Sequence, residues 1–140
     1  MHDVYCCYGE CSVHAVDYTG DFFAAKNGNF HCHNDVHLAE SMAVKEALSW
    51  AKDRAWLKIR VLSDCQSVCN LINGSSLDHS YAGCVIDDCK ALQRHFEVVS
   101  IGFIPRSVNK LAHAVARAAS SQPGPNVWFS SIPSCISHLV

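Results

Sequence analysis

Between Leu38 and Ser67 the chain runs LAESMAVKEALSWAKDRAWLKIRVLSDCQS, a helical pattern followed without a break by a β pattern. Leu38, Met42, Ala47, Leu48, Ala51 and Ala55 recur at helical spacing and form one apolar stripe, which predicts a helix to about Trp56. Lys58 to Ser63 (KIRVLS) is short and β-branched, which predicts a strand. A helix and strand this close in sequence bury their apolar faces against one another. Glu40, expected in the first turn of the helix, then comes close to Asp64 at the C-terminal end of the strand. Two carboxylates meeting at a sheet edge beside a helix are the core of a two-metal phosphoryl-transfer site.

The flanking segments supply the rest of a sheet. Residues 11–17 (CSVHAVD) are apolar and β-rich, Asp17-Tyr18-Thr19-Gly20 reads as a turn, and Phe22 to Lys26 reads as the returning strand of a hairpin. Asn27 to His37 is a polar loop. After Asp64, residues 65–73 predict a short helix stopped by Gly74, and Tyr81 to Phe96 predict a longer one. Glu97 to Ile104 (EVVSIGFI) predicts a strand ended by Pro105, and Val108 to Ala119 a last helix. The order is hairpin, helix, strand, helix, helix, strand, helix. It predicts an α/β three-layer domain, a mixed sheet flanked by helices, over residues 1–120. Residues 121–140 start as a Pro/Gly linker and end in an apolar segment expected to dock in part on the body.

Composition narrows the function classes. At 140 residues one domain is the expectation, and 49% hydrophobic residues exclude a disordered chain. The formal net charge is -2 and there is no basic run, so affinity for a polyanion would rest on a few placed Lys and Arg residues or on metal. No stretch reaches the roughly 18 apolar residues of a membrane span. The N-terminus has neither the basic nor the apolar region of a secretory signal. Nine cysteines, an odd number, scatter through predicted helices and strands. Reduced thiols in an intracellular protein, cytoplasmic or nuclear, are the expectation.

The runs LAESMAVKEAL, VLSDCQSVCNLIN and IPRSVNKLAHAVAR, with the hairpin CSVHAVDYTGDFFAAKNG, resemble in order and spacing the ribonuclease H-like domain common in plant proteins related to reverse transcriptases. The resemblance covers roughly residues 10–120. It implies metal-dependent hydrolysis of the RNA strand of an RNA–DNA hybrid, with magnesium as cofactor, nucleic acid as partner and no membrane. Glu40 matches the helix acid of the family's A-E-x-x-A motif, and Asp64 the aspartate of S-D-x-x-x-V. These two are the implied metal ligands. Asn109 matches the asparagine of the final motif, and His113 stands where that motif carries its last aspartate or histidine. All four are carried over as catalytic positions.

Two departures weaken the acidic set. The family's first strand carries an aspartate, usually in a D-G or D-A pair, that bridges both metals, and nothing before Gly9 fits it well. Asp3 is the only acid in range, so the chain is expected to lack all or much of the first strand. His113 is a neutral imidazole near physiological pH and cannot replace a carboxylate on magnesium, which prefers oxygen. Of four expected acids, two are absent or unmatched.

Each residue also has a plainer reading. Asp64 could cap the helix that begins at Cys65, and Asn109 could be a cap or turn residue. His31-Cys32-His33-Asn34-Asp35-Val36-His37, with Cys6, Cys7 and Cys11, invites a structural zinc site, although the spacing matches no paired ligand knuckle. Cys65, Cys69, Cys84 and Cys89 read as small buried hydrophobes. Lys58, Arg60, Arg94 and Arg106 are candidate phosphate contacts or ordinary surface charges. Three functions share the predicted fold: a hybrid-cleaving nuclease, a non-catalytic nucleic-acid-binding or protein-interaction remnant, and a zinc-stabilised module.

Overall fold

A computed structural model describes residues 2–9, 12–19, 22–29, 35–75, 81–109, 114 and 127–129. Its first strand corrects the expectation drawn from the motifs. β1 (His2–Gly9) is eight residues long and lies inside the sheet, antiparallel to β2 (Ser12–Thr19) and parallel to β4 (Lys58–Ser63). The missing aspartate is a matter of residue type at that strand, because the strand itself is present. β2 pairs with β3 (Phe22–Asn29) through Thr19–Phe22, so both arms of the hairpin are longer than the apolar runs suggest. β5 (Val98–Phe103) lies parallel to β4, and β6 (Val127–Phe129), in the C-terminal segment, pairs with β3 through Ala24–Phe129 and Lys26–Val127. The order across the sheet is β5-β4-β1-β2-β3-β6.

α1 (Val36–Asp53) starts earlier than its apolar stripe, because Asp35 is the N-cap and its carboxylate accepts from Leu38 N at 3.0 Å. Glu40 is therefore in the second turn. The helix also ends earlier than Trp56. Ala55 has φ 60°, its N–H bonds Lys52 O, and the Trp56 N–H bonds Ala51 O, a pattern that closes the last turn with a left-handed residue. A side chain in that conformation costs about 1 kcal/mol or more relative to glycine. Ala55 is exposed, so Ala55→Gly loses no packing and is expected to stabilise the chain by about 1 kcal/mol, seen as a rise in thermal midpoint of about 3 °C. Trp56, just beyond, stacks on His2 at 4.2 Å and meets Trp50 edge-on at 5.7 Å, pinning the start of β1 to the end of α1.

α2 (Gln66–Asn73) and α3 (Tyr81–Leu92) follow, with a 3-10 turn (Gln93–His95) in place of the last turn expected of α3. The core lies between α1, α3 and the sheet: Val4, Ala43, Val44, Ala47, Leu48, Ile59, Val61, Val68, Ile86 and Cys89 are all buried. Cys69 and Cys89 are buried thiols, pushed up by burial to about 11 and about 12, but Cys84 is exposed and Cys65 is half-buried at the cap of α2. The apolar reading of the helix cysteines holds for two of the four. Apart from its first two residues and Ala114, the helix expected over Val108 to Ala119 lies outside the described residues. So do His31 to Asn34 and Cys11 of the zinc reading. In that same segment Asp35 caps α1, and His37 Nε2 bonds Ser67 Oγ at 3.0 Å. Among the described residues no group of three or more His, Cys, Asp or Glu side chains could hold a metal.

Candidate functional site

β1, β4 and β5 are parallel, and β1 is where the sheet turns antiparallel toward β2. Ligands of α/β sheets sit outside the carboxyl ends of such strands, at the point where the strand order reverses. Asp64 is the first residue beyond β4 at that end. It does not cap α2: Cys65 is the N-cap, and Ser63 Oγ accepts from Cys65 N at 3.2 Å. Asp64 is held from another direction. Asn109, 1% exposed, donates through Nδ2 to Asp64 Oδ2 at 3.3 Å and to Cys6 O at 3.2 Å. One amide thus ties the ends of β1 and β4 to the turn after β5. That turn is closed by Asn109 N–H bonding back to Pro105 O at 3.2 Å and Arg106 O at 3.1 Å.

Glu40 reaches the same end from α1 and is 8% exposed. Its Oε2 is buried and has no hydrogen-bond partner among the described residues. Burial first, then the negative charge of Asp64, push its carboxyl up to about 7, while the Arg106 guanidinium draws it down. The acid also adds to the upward push on Cys69. Glu40, Asp64, Arg106 and Asn109 therefore meet in one electrostatic neighbourhood. His113 lies outside the described residues.

Three of the four candidate phosphate contacts lie elsewhere or are engaged. Arg60 forms a two-pronged bond to Asp3 at 3.0 and 2.7 Å, and Lys58 faces Glu97 at 3.9 Å at the opposite end of β4. Arg94 is in the 3-10 turn after α3. Asp3 is accordingly no substitute for the first-strand aspartate. It pairs with position 60, three rungs before the Cys6–Ser63 rung, and its carboxylate is spent on Arg60. The residue of β1 that follows Cys6, as Asp64 follows Ser63, is Cys7. Sequence alone could not find this, because strand register is not written in β1's own residues.

The donor set bears on the metal pair that the resemblance implies. The buried, unpartnered Glu40 oxygen and the Asp64 carboxylate are suitable ligands for one hard cation. A bridged pair of magnesium ions needs a further carboxylate between them, and the β1 position beside Asp64 carries sulfur. The described residues do not fit two magnesium ions.

Comparison with solved structures places this architecture. RNase H1 from the halophilic archaeon Halobacterium salinarum NRC-1 superposes with a TM-score of 0.73 at 22% identity, over 86% of this chain and 97% of that one. The N-terminal RNase H domain of a Mycobacterium tuberculosis protein, solved as a fusion with maltose-binding protein, gives 0.61 at 18% identity, over 86% and 98%. At these identities the likeness is one of fold. No curated protein matches the chain. Residues 8–119 match the reverse transcriptase-like family. With that match spanning most of its length, the chain belongs to the reverse transcriptase-like family, and its sheet and helices have the fold of the RNase H structures.

Proposed function

We propose that this domain binds nucleic acid duplex of the RNA–DNA hybrid type at the carboxyl end of β1 and β4, and that it cleaves the RNA strand weakly or not at all with magnesium. The observation that carries this reading is the β1–β4 register, which sets a cysteine and not an aspartate beside Asp64. The bridging carboxylate of a metal pair stabilises both the attacking and the leaving oxygen, so its loss removes several kcal/mol from the transition state and leaves ground-state binding largely intact. Arg106, exposed and close enough to act on Glu40, is the cation best placed to meet a phosphate there. Asn109 keeps Asp64 in place, and Glu40 exchanges a proton near neutral pH.

The test uses a labelled hybrid with the purified chain, scored for cleavage on gels and for binding by anisotropy across a salt series. Binding is expected to be modest and to weaken steeply with salt. Arg106→Gln should weaken it by up to about tenfold and flatten the salt dependence by about one phosphate contact. Robust RNA-strand cleavage abolished by either Glu40→Ala or Asp64→Ala would overturn the reading of an impaired site. No binding at low salt would overturn the nucleic-acid reading itself.

A further inference from the structure

One edge of the sheet is open. β5 ends the strand order, and among the described residues no strand pairs with its outer side. The N–H groups of Val98 and Ile104 turn inward to the carbonyls of Leu57 and Ser63. Alternation then turns the N–H and C=O groups of Val99, Ile101 and Phe103 outward. The Asn73 side chain, at the end of α2, donates to Ile101 O at 2.9 Å, as it can to a carbonyl outside the ladder. We propose that this edge is an interaction surface for a second copy of the chain. The two β5 strands pair antiparallel about a two-fold axis and make one continuous sheet.

Three observations carry it. The first is the strand itself. Val98–Phe103 (VVSIGF) is rich in β-branched residues and has no charge and no proline. Edges that stay single are commonly blunted by Lys, Pro, bulges or a covering segment. The second is where the exposed apolar side chains fall. Leu57 and Val98 are exposed at the start of β5, and Phe103 and Val108 at its close. Of the large apolar side chains exposed among the described residues, only Val36 lies elsewhere. The third is charge. Glu97 stands just before the strand and Arg106 just after it, both exposed.

These features fit the same strand running the other way, because a two-fold interface sets each end of a patch against the opposite end of its copy. In the register centred on Ile101, Ile101 exchanges both backbone bonds with its counterpart, and Val99 does so with Phe103. A carbonyl oxygen has two lone pairs, so Ile101 O accepts from the copy as well as from Asn73. Leu57 and Val98 of one copy approach Phe103 and Val108 of the other, which takes both apolar ends out of water. Pro105 comes opposite Glu97, so Arg106, next in the chain, meets that carboxylate. An exposed ion pair of this kind orients the copies, while the backbone ladder and the apolar ends hold them together.

The experiment measures the mass of the full, reduced chain by sedimentation velocity from low to high micromolar concentration, without nucleic acid. The mass is expected to double across the series. Amide exchange at Val99, Ile101 and Phe103 is expected to slow as it does, with α1 unchanged. Val99→Pro removes an outward N–H, which an edge strand tolerates, and should weaken association on the order of tenfold or more. Ser100→Glu lies at an exposed position paired with Arg60, and across the axis it faces its own copy, so like charges should weaken association by at least about tenfold. Should Val99→Pro fail to fold by circular dichroism, Ser100→Glu decides with the exchange data. Val36→Lys, exposed at the start of α1, should leave the dimer unchanged. A monomer at every concentration, assembly beyond two copies, protection away from β5, or a dimer that survives the folded β5 variants would overturn the proposal. So would a chain that stays monomeric while an unrelated extended peptide protects the β5 amides, which would give this edge to another partner.

Discussion

Glu40→Gln is expected to make the protein more stable at pH 8, by about 3 kcal/mol, and no more stable at pH 4. Folding lifts the Glu40 carboxyl from 4.5 to about 7. At about 1.4 kcal/mol per pH unit, that interval corresponds to about 3 kcal/mol. The sign follows from proton counts. Between these two values the folded chain binds more protons than the unfolded chain, so stability falls as pH rises through the window and levels off above about 7. Below 4.5 the carboxyl is neutral in both states and the glutamine gains nothing. In a thermal melt the difference at pH 8 should be roughly 10 °C, shrinking toward zero in acid. Equal stability of the two proteins at pH 8 would show that Arg106 compensates the ionised carboxylate fully. A residue that costs this much stability where it stands marks a site kept for something other than folding.

The fold was largely legible in the sequence because its elements announce themselves locally. The α1 stripe, the β-branched KIRVLS run and the breaks at Gly74 and Pro105 each depend on a few neighbouring residues. β4 appears with the bounds expected of it, and β5 within one residue at each end. Helix ends were less legible, because Asp35 caps from outside the apolar stripe and Ala55 takes a left-handed turn that glycine normally marks. β1 was illegible for a different reason. MHDVYCCYGE carries no matching motif, and its strand character comes from long-range pairing with β2 and β4. The same non-locality hid part of the site. Glu40 and Asp64 stand out in sequence, but the engagement of Asp3 by Arg60 and the Asn109 clasp on Cys6 and Asp64 exist only in the folded chain.

Asn109→Ala is expected to destabilise the chain by about 3 kcal/mol and to loosen the end of β1 selectively. The side chain is 1% exposed and its amide nitrogen serves two acceptors, one on β1 and one just beyond β4. Removing it takes one hydrogen bond from the Cys6 carbonyl and one from the half-buried Asp64 carboxylate, at about 1 kcal/mol for the first and about 1.5–3 kcal/mol for the charge-assisted second. The space it vacates adds a cavity cost. Some of the total is recovered, since the Asn109 carbonyl oxygen itself has no hydrogen-bond partner among the described residues and its burial cost disappears with it. Asn109→Asp separates the clasp from mere volume. It fills the same space but sets a second negative charge against Asp64, so it should be worse than alanine at neutral pH and recover in acid. Urea unfolding gives the magnitudes, and amide exchange should show β1 opening before α1 and α3. A loss below about 1 kcal/mol for Asn109→Ala, with β1 exchange unchanged, would mean that the pairing of β1 with β2 and β4 holds this end of the sheet without the clasp.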